Sequence, residues 1–236
     1  MTEATKPILD VLRVGRMPYG DAYEMQKGLV DRRVADLAPD TLMLTEHDAV
    51  VTLGRKTPKE SLAGVTVPMF EIERGGEATY HGPGQVVAYP ILKLGPERRD
   101  LHQYLRDLEE VVIGVLAEFD VVGRRQDGLT GVWIGDRKVC SIGVAVRRWV
   151  TYHGFALNVH TDLAGFQSFH PCGLQPDVMT RLVDHTDLGP GNLLIEVLIV
   201  KHMCEVFGFE LPPPAQPQPP GGDAKGFPDL PILGGS

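Results

Sequence analysis

The chain has 236 residues, 43% of them hydrophobic, with a formal charge of -8 and three cysteines. That length and apolar content suit a single sizeable core, and the acidic balance argues against nucleic-acid binding, which needs a basic face to displace phosphate counterions. An odd number of well-separated cysteines does not suit a disulfide framework, no apolar run approaches bilayer length, and the opening MTEATKPILD lacks a secretory layout, so we expect a cytoplasmic protein without membrane association.

Asp21 with Glu24 has the spacing of a capping box, and Met25, Leu29, Val30, Val34 and Leu37 then recur at helical intervals. Leu42 to Glu46 and Val50 to Leu53 are β-prone runs, ended by Gly54-Arg55-Lys56-Thr57-Pro58. Val65 to Ile72 and Val86 to Leu92 read as strands flanking the segment RGGEATYHGPGQ at 74–85. Asp100 with Gln103 repeats the capping layout ahead of a helical period through Leu101, Leu105, Leu108, Val111, Val112, Val115 and Phe119. GVWIG, VCSIGVAV and VTYHGFALNV, separated by polar or basic turns, predict three antiparallel strands between 131 and 160. Residues 165–179 lack periodicity, and Asn192 is placed to cap a last helix through Leu194, Val197, Val200, Cys204 and Phe207, stopped by Gly208. A single folded domain is therefore expected over 1–210. The remaining 26 residues, 211–236, carry eight prolines and five glycines and predict a disordered tail.

Segment 74–85 places Gly75, Gly76, Gly82 and Gly84 around Thr79, Tyr80 and His81, a composition suited to bare backbone surrounding a small molecule. It fits neither dinucleotide nor P-loop templates. Among the thiols, Cys204 falls on an apolar helix side and Cys140 within a strand, sharing a face with Lys138 by the two-residue period. Cys172 sits in HPCGL between Pro171 and Gly173, where an irregular backbone can present it to a cleft, and ranks first as nucleophile, with Cys140 its rival. Lys138 opens a strand of small and apolar residues, so its ammonium is expected to turn inward, where a thiol and a lysine in contact can exchange a proton. No histidine stands at metal-ligand spacing from another histidine or a cysteine, and no metal site is expected.

Four strings taken in order, RGGEATYHGPGQ at 74–85, GVWIGDRKVCSIGVAV at 131–146, HGFALNV at 153–159 and FHPCGL at 169–174, resemble the octanoyl-acyl carrier protein to protein octanoyltransferases, the lipoate-protein ligase B family. The resemblance runs from about residue 10 to 208 and implies an α/β (α+β) fold with a mixed sheet flanked by helices, like the catalytic domain of biotin and lipoate protein ligases. It implies an ATP-independent reaction without a cofactor. Acyl carrier protein would donate the octanoyl group, and the acceptors would be lysines on the lipoyl domains of 2-oxoacid dehydrogenase complexes and on the glycine cleavage H protein.

Under that resemblance Cys172 is the acyl-thioester nucleophile and Lys138 the residue that lowers its pKa. Substrate contacts fall on Arg74, Gly75, Gly76, Glu77, Ala78, Thr79, Tyr80 and His81, on Ser141, Ile142 and Gly143, and on Gly154, Phe155 and Ala156, with Tyr80, Ile142 and Phe155 as apolar walls. Tyr80 stands where phenylalanine is common after the threonine. An acidic carrier would need local positive patches, such as Arg124-Arg125 or Arg147-Arg148. Two other functions are open: an ATP-dependent lipoate or biotin ligase, which has no need of Cys172, and a binding module without chemistry.

Overall fold

A computed structural model describes residues 6–62, 64–169 and 174–211. Its centre is a seven-stranded mixed sheet in the order β1-β2-β6-β10-β9-β8-β7: β1 is Asp10–Met17, β2 Thr41–His47, β6 Gln85–Ile91, β7 Gly123–Gln126, β8 Leu129–Ile134, β9 Arg137–Arg147 and β10 Val150–Asn158. Among the described residues, only the β1–β2 pair of this sheet is parallel. A second sheet of three short strands, β3 (Val50–Leu53), β4 (Met69–Glu71) and β5 (Thr79–His81), stands beside it in the order β4-β3-β5.

The alternation of side chains along each strand sorts the large sheet into two faces. Leu42, Leu44, Val86, Ala88, Phe155 and Leu157 point towards helix α2 (Leu101–Ala117) and helix α3 (Asn192–Phe207), forming the main core with Leu108, Val112, Ile195 and Met203. Met43, Val87, Tyr89 and Ala156 point the other way, towards Ala22 and Val30 of helix α1 (Tyr19–Val34). No helix among the described residues is long and apolar enough to cross a membrane.

The predicted ends hold where a side chain enforces them. The carboxylate of Asp100 accepts from the amides of His102 at 2.8 Å and Gln103 at 3.1 Å, and Gly208 stops α3 at φ +78°. Two caps differ. Helix α1 begins behind Pro18 with no side-chain cap, so Asp21 lies in its first turn, and α3 is capped by Gly191, leaving the Asn192 amide to donate to Glu46 at 2.6 Å. Of the run 65–72 only Met69–Glu71 is extended, because β3 offers it one edge and little apolar cover. The first hairpin strand starts at Leu129, two residues before GVWIG, and pairs with β7, which is too polar to carry an apolar pattern.

The centre of the sheet is closely apposed where glycines face one another. Gly154 of β10 pairs with Gly143 of β9, and a Cβ on Gly154 would lie 2.1 Å from the carbonyl oxygen of Ala88 on β6. Backbone cannot yield to such a contact without a shift of the strand. Gly154→Ala is therefore expected to destabilise the protein by about 1–3 kcal/mol, as overpacking does. At roughly 2–4 °C per kcal/mol for a domain of this size, a thermal melt should register it. An unchanged melting temperature would show that the strands are not in contact there.

Candidate active site

A pocket enclosing about 390 Å³, part of it open to solvent, lies on the α1 side of the sheet. Nine of the predicted substrate residues line it: Arg74, Thr79 and His81 from the glycine-rich segment, Ser141, Ile142 and Gly143 from β9, and Gly154, Phe155 and Ala156 from β10. Arg74 is the clamp of the segment, for its guanidinium donates to the Thr52 carbonyl and to the Gly75 carbonyl, each at 3.0 Å. The amide of Gly75 then donates to the Val144 carbonyl at 3.1 Å, which lays the segment across β9. A Cβ on Gly143 would lie 2.9 Å from Arg74 Cδ, so the bare strand is what lets the loop descend this far.

The other predicted contacts lie elsewhere. The backbone of Gly75 and Gly76 forms the outer turn, Gly76 with φ +83° and its carbonyl taking the Lys56 amide at 3.1 Å. Glu77 is half-buried, while Ala78 and Tyr80 pack with Val51, Phe166, Phe169 and Met179 in a separate cluster over the small sheet. Tyr80 is held there by Gly82 and Gly165, either of which would collide with its ring if it carried a Cβ. Cys172 lies outside the described residues.

Five lining residues escaped the sequence reading: Tyr19, Ile72, Val87, Tyr89 and His153. Only His153 carried a signal, as the first letter of HGFALNV. It stands in the left-handed region, φ +55°, inside β10, its ring stacked on Tyr23 with centroids 5.8 Å apart. Both ring nitrogens of His153, the hydroxyl of Ser141 and that of Thr79 are buried without a hydrogen-bond partner among the described residues. Unsatisfied groups of this kind are costly, and their convergence on one pocket marks it as a place where a ligand or water completes the bonding.

The charge of the pocket is set by burial. His81, with Nδ1 2.8 Å from Gln85 Oε1 and Nε2 3.3 Å from Thr52 Oγ1, is held down to about 3, and His153 to about 4, desolvation being the main cause in each. His47, bonded to the Tyr89 hydroxyl at 2.7 Å, is also lowered by burial. All three rings are neutral at neutral pH. Among the described residues no group of three or more His, Cys, Asp or Glu gathers in a way that could hold a metal ion.

Lys138 of β9 is 3% exposed, so the inward turn expected from its strand is what the structure has. Its ammonium lies 5.7 Å from the centre of the Trp133 ring and makes no ion pair among the described residues. Its carbonyl accepts the Thr180 amide at 2.9 Å, and the Thr180 carbonyl accepts the Asn158 side-chain amide at 3.0 Å, fixing the chain that follows residue 173 against β9. Cys140 is fully buried in the main core, and desolvation pushes its thiol well above the ordinary range despite Lys138 nearby. A thiol so hard to ionise is no rival nucleophile. Cys204 is buried and likewise raised.

The family model for the lipoyl protein ligase A/B catalytic domain matches residues 18–203. Among curated proteins, the octanoyltransferase of Syntrophotalea carbinolica is 45% identical over 204 residues, covering 86% of this chain and 97% of that protein. The octanoyltransferase of Rubrobacter xylanophilus is 46% identical over 218 residues, covering 87% and 97%. Among solved structures, the bipartite lipoate protein ligase of Thermoplasma acidophilum superposes with a TM-score of 0.66 at 16% identity, covering 89% of this chain and 86% of that one. The biotin protein ligase of Aquifex aeolicus does so at 0.51 and 14%, covering 87% and 70%. These last two likenesses establish the mixed-sheet, ligase-like fold.

The histidine environment predicts an acid-sensitive fold. The unfolded chain takes up protons on these rings near the ordinary 6.5, whereas folded His81 and His153 resist until about 3 and 4. Stability is thus expected to be steady above that ordinary value and to fall as pH drops from about 6.5 towards 4. His153→Asn, which tolerates the left-handed backbone, should remove part of the fall when melting temperature is followed against pH.

Proposed function

The chain belongs to the lipoyl protein ligase A/B catalytic-domain family, and on that premise we propose that it is an octanoyltransferase that moves an octanoyl group from acyl carrier protein to a lysine of a lipoyl domain. The acceptors would include the lipoyl domains of 2-oxoacid dehydrogenase complexes and the glycine cleavage H protein, in the cytoplasm.

In this reading the Cys172 thiolate attacks the carbonyl of the octanoyl thioester, forming an S-octanoyl cysteine and releasing the carrier thiol, which carries away a proton. The amine of the acceptor lysine then attacks the new thioester, the amide forms, and the Cys172 sulfur leaves. Lys138 is the group that takes and returns the proton in both halves. Thioester exchange is nearly level in free energy and amide formation from a thioester is downhill, so no ATP enters.

The observation that carries this reading is the state of Lys138: a buried ammonium with no carboxylate partner among the described residues, clasped through its own carbonyl to the segment that follows Cys172. Phe169 packs in one cluster with Met179, and Met179 is the bridge partner of Lys138. The acyl chain would lie along Val87 and Ala156, over the bare backbone of Gly143 and Gly154. Of the arginines considered for docking the acidic carrier, Arg124 is paired with Asp136, Arg125 with Glu109 and Glu110, and Arg147 with Asp31, while exposed Arg148 makes no ion pair among the described residues.

Because related folds include a lipoate-protein ligase bound with ATP, the test must separate transfer from adenylation. Intact protein incubated with octanoyl carrier protein and no ATP should gain one octanoyl group that hydroxylamine removes. Cys172→Ser should lose the adduct while melting like wild type, and Lys138→Met should slow transfer by roughly 10²–10⁴-fold, the range of a lost proton-transfer group. An adduct that forms only with ATP and free octanoate would refute the transferase reading.

A further inference from the structure

Glu109 of α2 is a carboxylate 1% exposed to solvent, outside the pocket and outside every substrate contact assigned above. Its Oε2 accepts from Arg106 at 2.7 Å and Arg125 at 3.1 Å, and its Oε1 accepts from the backbone amide of Gly131 at 3.0 Å. Burying a carboxylate is expensive unless every acceptor is used. Clipping α2 to β7 does not require that expense, for Arg125 already reaches Glu110 at the surface, 2.7 Å away. The unusual partner is the glycine.

Gly131 has φ +128°, a conformation closed to other residues, and a Cβ there would lie 2.6 Å from Lys138 Cε, 3.3 Å from its Nζ and 2.5 Å from the Cys140 carbonyl oxygen. The end of the Lys138 side chain thus rests against naked backbone. On another side stands the Trp133 ring, displaced by the irregularity that β8 makes between Val132 and Trp133 opposite β9. Glu109 holds the peptide of Gly131 from behind.

We propose that Glu109 and Gly131 are positioning residues for Lys138: the carboxylate fixes the Gly131 peptide, and the bare Cα forms the seat that sets where the ammonium lies. The inference rests on Lys138 being the proton-handling group of the transfer. The buried carboxylate acts through a hydrogen bond to backbone, so its shape matters more than its charge. Glutamine keeps an oxygen that can accept from Gly131, and alanine does not.

The test compares Glu109→Ala, Glu109→Gln and Arg106→Gln in the full chain, with Arg106→Gln removing a partner of the same carboxylate without touching Gly131. Octanoyl transfer is measured at a temperature where all are folded, and the ¹³Cε resonance of Lys138, assigned by its loss in Lys138→Arg, reports the seat directly. Glu109→Ala should lower kcat on the order of 10- to 100-fold, the effect of misplacing a reacting group by about 1 Å, with KM for the octanoyl carrier unchanged and the Lys138 resonance shifted. Glu109→Gln should restore most of both, and Arg106→Gln should match wild type in both.

An unmoved Lys138 resonance in Glu109→Ala, or an equal loss of kcat in Arg106→Gln, would overturn the proposal. Should Glu109→Ala fail to fold, Glu109→Leu replaces it: it fills the buried space but offers the Gly131 amide no acceptor, and an unchanged resonance there counts against the seat just as decisively. If wild type transfers no octanoyl group while the resonance responds as expected, the seat stands and the transferase reading fails.

Discussion

The structure turns on the absence of side chains at two facing positions. Gly143 and Gly154 sit opposite one another at the centre of the large sheet, and every feature of the pocket follows from the space they leave. Arg74 can lie down on β9 only because Gly143 is bare, and β10 can approach the Ala88 carbonyl only because Gly154 is. Where these strands meet, the pocket floor is bare backbone flanked by Ser141 and Ala156, a surface suited to an unbranched chain that lies flat.

Around this apolar trough the polar groups are kept neutral. Burial holds His47, His81 and His153 unprotonated, and the two charged groups that matter, Arg74 and Lys138, are separated by function: Arg74 is spent on backbone carbonyls, whereas Lys138 has none of its donors committed to a carboxylate among the described residues. That contrast in partners is what the proposed role of Lys138 requires.

Much of this was legible beforehand, and the reasons are particular. Strings rich in glycine announced the segment 74–85 and the strands β9 and β10 because close backbone approach leaves no other residue possible. Helix α2 was plain from its apolar period and from Asp100. By contrast β1 and β7 are half-exposed edge strands whose polar residues hide any alternation, and Tyr19, Ile72 and Tyr89 reach the pocket from three separate elements by tertiary folding alone. The resemblance implies Tyr80 as a pocket wall, yet the strand alternation of Thr79, Tyr80 and His81 turns it to the opposite side, against Phe166.

The bond from the Thr180 amide to the Lys138 carbonyl has a consequence for motion. Strand β10 accompanies β9 only as far as the Leu157–Cys140 pair, so the edge of β9 at Lys138 would be vacant were it not filled by Met179 and Thr180. Lifting that short stretch strips a buried carbonyl of its donor, a penalty of about 1–3 kcal/mol. The lysine is therefore tethered through its own main chain to two buried residues: whatever loosens residues 179–180 is felt directly in the backbone that carries the ammonium.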